Sequence, residues 1–137
     1  MKLLIATHGT FAEGIKSALQ IIVGNVENIA TINAYVDECD LKKELDNYFE
    51  INKNEELIVC TDLFGGSVNQ AIIQKLKEKE FILVTGVNFP MLLELSLALG
   101  NGNPDKEKIR ELINNSKEQL MLVNDVLTEK VEDDFDF

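Results

Sequence analysis

Short apolar runs, each broken by a polar turn and followed by a stretch with helical spacing, constrain this chain more than any other feature. The first is Leu3-Leu4-Ile5-Ala6, which stops at Thr7-His8-Gly9. Four apolar residues in a row suit a strand buried on both faces, as in a parallel sheet. Leu57-Ile58-Val59-Cys60 repeats the pattern and breaks at Thr61-Asp62-Leu63-Phe64-Gly65-Gly66-Ser67. Alternation of this kind predicts an α/β domain, a doubly wound parallel sheet with right-handed crossovers and helices on both faces.

Taken in order, the predicted strands are Lys2 to Thr7, Ile29 to Val36, Glu55 to Thr61 and Glu80 to Thr85. The first helix runs from Phe11 to Val23. Phe11, Ile15, Ala18, Leu19 and Ile22 form its apolar stripe, and Gly24 stops it. Asp40 is placed to cap a second helix over Leu41 to Phe49, and Ser67 to cap a third carrying Val68, Ala71, Ile72 and Leu76. Pro90 fits the first turn of a fourth helix, Met91 to Leu99. That helix is apolar almost all round, so it needs cover on both sides, and a second subunit is one source. Asp105 opens a fifth helix with Ile109, Leu112 and Ile113 inward. Gln119 to Val123 reads as a short last strand. Residues 1–124 are expected to form one domain, and 125–137, with six acids and one lysine, a solvated and partly disordered tail.

A net charge of −11 argues against binding nucleic acid, because phosphate backbones need a basic face, and against docking on an anionic membrane. No apolar run reaches the ~20 residues of a spanning helix, and the run at the amino terminus breaks at Thr7-His8, too early for a signal peptide. A soluble, cytoplasmic protein is predicted, with no membrane insertion. Cys39 and Cys60 form no C-x-x-C, and both read as reduced structural residues. With a single histidine, the chain has no zinc ligand set, and neither a metal nor another cofactor is expected.

In the strand order 2-1-3-4, the first and third strands are neighbours at the switch point where open α/β sheets place ligands. His8 ends the first strand and Asp62 the third. A neutral imidazole is a competent nucleophile toward phosphorus. A carboxylate can hold the hydrogen of its other nitrogen, fix the tautomer and stabilise the positive charge that develops. The Gly65-Gly66-Ser67 turn supplies backbone N–H groups at a helix N-terminus, which favours phosphate, and Ser67 adds a hydroxyl. Nucleophile, orienting group and anion cradle thus come together on one edge.

Three segments carry a family resemblance: Leu4-Ile5-Ala6-Thr7-His8-Gly9, Thr61-Asp62-Leu63-Phe64-Gly65-Gly66-Ser67 and Gly86-Val87-Asn88-Phe89-Pro90-Met91-Leu92. In order and spacing they resemble the signature segments of the mannose-family enzyme IIA of the bacterial sugar phosphotransferase system. The resemblance covers nearly the whole chain. It implies that His8 accepts a phosphoryl group from the carrier protein HPr and passes it to a histidine of a IIB component. It also implies that Asp62 hydrogen-bonds the active histidine, and that Gly65, Gly66 and Ser67 lie beside the phosphate. A homodimer with a C-terminal antiparallel strand exchanged between subunits is implied as well, giving Gln119 to Val123 a destination. The family often has proline where this chain has Val68 and glycine where it has Ala6. With no IIB segment in the sequence, the acceptor is expected on a separate protein.

The same residues bear on other activities. The phosphohistidine subunit of the phosphoenolpyruvate-dependent dihydroxyacetone kinase shares the fold and the chemistry, but the Phe64-Gly65-Gly66-Ser67 turn fits sugar-system members better. A Ser67-His8-Asp62 hydrolase lacks the G-x-S-x-G elbow, since Asn69 stands in its last place. A receiver domain phosphorylated on Asp62 would need acidic residues where Thr7-His8 stand.

Overall fold

The computed structural model describes residues 1–38 and 40–131. Four parallel strands form its sheet: β1 (Lys2–His8), β2 (Ile29–Ala34), β3 (Leu57–Thr61) and β4 (Ile82–Thr85), in the order β2-β1-β3-β4. Six helices accompany them: α1 (Phe11–Val23), α2 (Leu41–Ile51), α3 (Ser67–Lys75), α4 (Phe89–Leu99), α5 (Lys106–Lys117) and α6 (Val123–Val131). The predicted strand order and doubly wound class hold.

Strand side chains alternate between faces, so each central strand feeds two cores. On one face Leu3 and Ile5 of β1 pack with Ile15 and Leu19 of α1, Leu92 and Leu95 of α4, and Ile109 and Leu112 of α5. On the other, Leu4 and Ala6 pack with Leu45 and Phe49 of α2 and with Val68 and Ile72 of α3. Every residue of β3 is buried, which is why its sequence is an unbroken apolar run rather than an alternation. Burial of one leucine at such a position contributes about 2 kcal/mol. Cys60 sits in this layer as a free thiol, and burial pushes its pKa up to about 12, so it is chemically inert. Cys39 lies outside the described residues.

Helix ends follow their capping residues. The Asp40 carboxylate accepts the Lys42 N–H at 2.9 Å, Asn88 Oδ1 the Met91 N–H at 3.0 Å, and Asp105 Oδ1 the Lys108 N–H at 2.9 Å. Gly24 ends α1 with a left-handed φ of 80°. The buried stripe of α1 is Ala12, Ile15 and Leu19, whereas Phe11 and Ile22 are exposed. Both fall at the margin of the expected stripe, and the helix is rotated so that its small Ala12 lies over the sheet.

Several predicted boundaries move. β2 stops at Ala34, two residues early, where its ladder with β1 ends at the His8–Ala34 pair. β4 begins at Ile82, opposite Ile58, the first residue of β3 that it pairs. Cover for the apolar α4 comes largely from within the chain. Met91, Leu92 and Leu95 are buried, α5 and α1 pack against the helix, and Leu97 remains exposed.

The strand expected over Gln119 to Val123 is absent in the single chain, and α6 occupies Val123–Val131, where a disordered tail was expected to begin at Asp125. A strand needs a neighbour to satisfy its N–H and C=O groups, and this stretch satisfies them locally instead. The Gln119 N–H donates to the Ser116 carbonyl at 3.0 Å, and the Asp125 N–H to the Leu122 carbonyl at 3.1 Å. The tail's last six residues, 132–137, lie outside the described residues.

Candidate active site

His8 is the last residue of β1 and Asp62 the first residue beyond β3. The two strands are adjacent, with Ala6 opposite Thr61, so the side chains leave the same edge. Asp62 Oδ2 accepts the backbone N–H of His8 at 3.0 Å and lies 3.0 Å from its ring Nδ1. One carboxylate oxygen therefore holds both the main chain and the imidazole of the same residue. Burial of Asp62 by itself works to raise its pKa. The hydrogen bonds from the His8 backbone and ring outweigh that effect and hold the carboxyl below its ordinary 3.8. An ionised carboxylate only accepts hydrogen bonds, so Nδ1 carries the hydrogen, and in the neutral imidazole Nε2 is then the nitrogen with the lone pair. The His8 side chain is 39% exposed against 17% for Asp62, so the ring reaches solvent while its anchor is sheltered.

The loop around His8 is fixed on both sides. Thr7, fully buried, accepts the Ala12 N–H on its hydroxyl at 2.7 Å, and so ties the start of α1 to the end of β1. Gly9 has a φ of 59°, a left-handed turn that suits glycine, and its N–H donates to the Ala34 carbonyl at 2.9 Å.

Gly65 and Gly66 have separate physical reasons. Gly65 has a φ of 76°, while Gly66 is extended but close to the ring: a Cβ there would stand 3.3 Å from His8 Cε1. With any side chain there the imidazole would have to give by a few tenths of an ångström to lie against the start of α3. Gly66, not Ser67, is the N-cap of α3, and it brings no side chain to the first-turn N–H groups. Those donors stay available to an anion next to the histidine. Ser67 is the first helical residue, and its Oγ accepts a hydrogen bond from the Tyr35 hydroxyl at 2.7 Å. Below the turn, Thr61 Oγ1 donates to Asn69 Oδ1 at 2.9 Å and lies 2.8 Å from Thr85 Oγ1, which pins α3 to the ends of β3 and β4.

The structure brings His8, Asp62, Gly65, Gly66 and Ser67 to one edge. The serine hydroxyl is paired with Tyr35 rather than with the imidazole, unlike a hydrolase triad. Tyr35 was not singled out from sequence. The available signal was its place just past β2, the other neighbour of β1.

The family model described as PTS system fructose IIA component, EIIA-man, matches residues 2–115. The chain belongs to this family. It is thus a mannose-family IIA component of the sugar phosphotransferase system, with a phosphocarrier role in that system. The sorbose-specific EIIA component of Lacticaseibacillus casei is 29% identical over 98% of this chain and 100% of its own length. The mannose-specific EIIAB component of Escherichia coli K12 is 27% identical over 70% of this chain, a match spanning 31% of that longer protein. A Klebsiella pneumoniae crystal structure assigned to the phosphoenolpyruvate-dependent sugar phosphotransferase system superposes with a TM-score of 0.84. It shares 32% identity, and the match covers 92% of this chain and 93% of that one. Among the described residues of this IIA component, no helix is long and apolar enough to cross a membrane.

Proposed function

We propose that this IIA component takes a phosphoryl group from phospho-HPr on Nε2 of His8 and passes it to a histidine of a IIB protein. The observation that carries the proposal is the pairing of His8 Nδ1 with Asp62 Oδ2 at 3.0 Å. In the neutral ring it leaves the Nε2 lone pair free, and the His8 side chain is 39% exposed. In the transfer, the Nε2 lone pair attacks phosphorus in line with the donor's N–P bond. The Nε2–P bond forms, the donor bond breaks, and its electron pair stays on the donor nitrogen. No proton has to move at His8, because Nδ1 keeps its hydrogen throughout. Asp62 stabilises the positive charge that develops on the ring, and the N-terminus of α3 with Ser67 accommodates the phosphoryl oxygens. Catalysis is then mainly positioning and charge stabilisation.

Incubation with phosphoenolpyruvate, enzyme I and HPr tests this directly. Acid-labile label on the wild-type chain, absent from His8→Ala, is the expected result, and an unlabelled wild type contradicts it. Transfer onward to a IIB protein, rather than to a dihydroxyacetone kinase, separates the two phosphohistidine pathways.

A homodimer is part of the same proposal. Exposed Leu120, Met121, Leu122 and Val123, with Leu97 on α4, offer apolar surface that a second copy would cover. Sedimentation at micromolar concentration should give twice the chain mass, and Leu120→Ser with Leu122→Ser should return it to one. A wild-type chain that sediments as a monomer contradicts the dimer.

A further inference from the structure

We propose that Tyr35 is a positioning residue for phosphoryl transfer at His8, acting through the hydroxyl of Ser67; the proposal rests on His8 being the phosphoryl-bearing residue. Tyr35 follows the last residue of β2, on the side of β1 opposite β3. It is the single non-glycine residue with positive φ among those described, at 66°. A bulky side chain in the left-handed region is strained, and such strain persists where surrounding contacts hold it. Tyr35 is 61% exposed, so core packing does not account for its conformation. Two contacts at the site do. Its ring centroid lies 5.7 Å from that of His8, with 38° between the planes, and its hydroxyl donates to Ser67 Oγ at 2.7 Å.

Donor counting gives this hydrogen bond its consequence. A serine hydroxyl has one proton to give and lone pairs with which to accept. While Tyr35 donates to Ser67 Oγ, the serine proton remains free for another acceptor. Ser67 adjoins Gly66, where a Cβ would stand 3.3 Å from His8 Cε1, so that proton is held at the edge where a phosphoryl oxygen on Nε2 would arrive. The oxygen accepts from Ser67 while Tyr35 donates to Ser67 from behind, and each bond polarises the next. Neither hydroxyl gives up its proton. The only bonds made and broken are those to phosphorus and nitrogen.

Single-turnover transfer from phospho-HPr to the full chain, compared across wild type, Tyr35→Phe, Ser67→Ala and the double variant, tests the relay. Tyr35→Phe keeps ring and backbone and removes only the hydroxyl. It should lower the rate at saturating donor by about fivefold, the size of one neutral hydrogen bond. The half-saturating donor concentration should not change. Ser67→Ala should be slower still, and the double variant no slower than Ser67→Ala, because the two hydroxyls act as one unit. Wild-type speed in Tyr35→Phe would overturn the proposal. So would effects that multiply in the double variant, or a raised half-saturating concentration at an unchanged maximal rate, which would make Tyr35 a docking contact. Absence of label on wild-type His8 would instead remove the phosphocarrier proposal and this one with it. Normal labelling of wild type and Tyr35→Phe at equal rates removes only the role of Tyr35.

Discussion

The edge formed by β1 and β3 and the stretch from Gln119 to Val131 hold their side chains in opposite ways. At the sheet edge, His8 and Asp62 stand at the ends of the two most buried strands of the molecule, and one carboxylate oxygen holds both the backbone N–H and the ring of the histidine. In the C-terminal stretch, Leu120 is 88% exposed, and no side chain described in α6 is buried. One region has its partners inside the chain, and the other leaves its apolar groups exposed among the described residues. Precise chemistry belongs to the first because a rigid sheet sets distances to a fraction of an ångström. The proposed self-association would draw on the second, because exposed leucines gain from being covered.

The contrast can be broken from the rigid side first. Leu4→Ala, beneath the site, should destabilise the chain by about 2–5 kcal/mol, the cost of a cavity in a close-packed layer, read from urea unfolding. A loss under about 1 kcal/mol would mean that the sheet is less tightly packed than its burial indicates. Asp62→Ala removes the acceptor for both the ring and the amide of His8. Its transfer rate should fall by about a hundredfold while its circular dichroism spectrum stays native, and an unchanged rate would show that tautomer control is dispensable. Gly66→Ala places a methyl 3.3 Å from His8 Cε1 and should slow transfer by about tenfold with little change in Tm.

Acid sharpens the same point. The Asp62 pKa is lowered on folding from an ordinary 3.8, so its contribution to stability is complete above that pH and disappears as pH falls through the folded value. The stability gap between wild type and Asp62→Asn should therefore be present at pH 5 and close as pH falls below about 4. A gap that does not narrow as pH falls from about 4 to about 2 would contradict a carboxylate held ionised by hydrogen bonds from His8. The smallest effect is expected from the exposed side. Leu120→Ser should leave the transfer rate within about twofold of wild type, the scale of an ordinary surface substitution. A larger loss would tie the C-terminal stretch to the chemistry.

What the residues disclosed in advance follows the same division. The strand runs, the 2-1-3-4 order and the meeting of His8 with Asp62 were legible because buried parallel strands have a strong apolar signature and their ends point to one edge. Ser67 was read correctly as belonging to the turn but one place out as a cap, since the preceding glycine can take the extended cap conformation without a side chain. Tyr35 escaped notice because its placement depends on a single left-handed backbone angle, which no periodicity encodes. The strand expected over Gln119 to Val123 is not formed in the single chain because an apolar run of this kind becomes strand only beside a ladder partner, which the expectation placed in a second subunit.

The central claim concerns which nitrogen of one imidazole is free, and the chain's single histidine makes that directly measurable. Long-range 15N–1H correlation spectra at mildly alkaline pH should show His8 with its hydrogen on Nδ1. After phosphorylation, the phosphorus should couple to Nε2. A hydrogen on Nε2 in the free protein, or phosphorus bonded to Nδ1, would contradict the account.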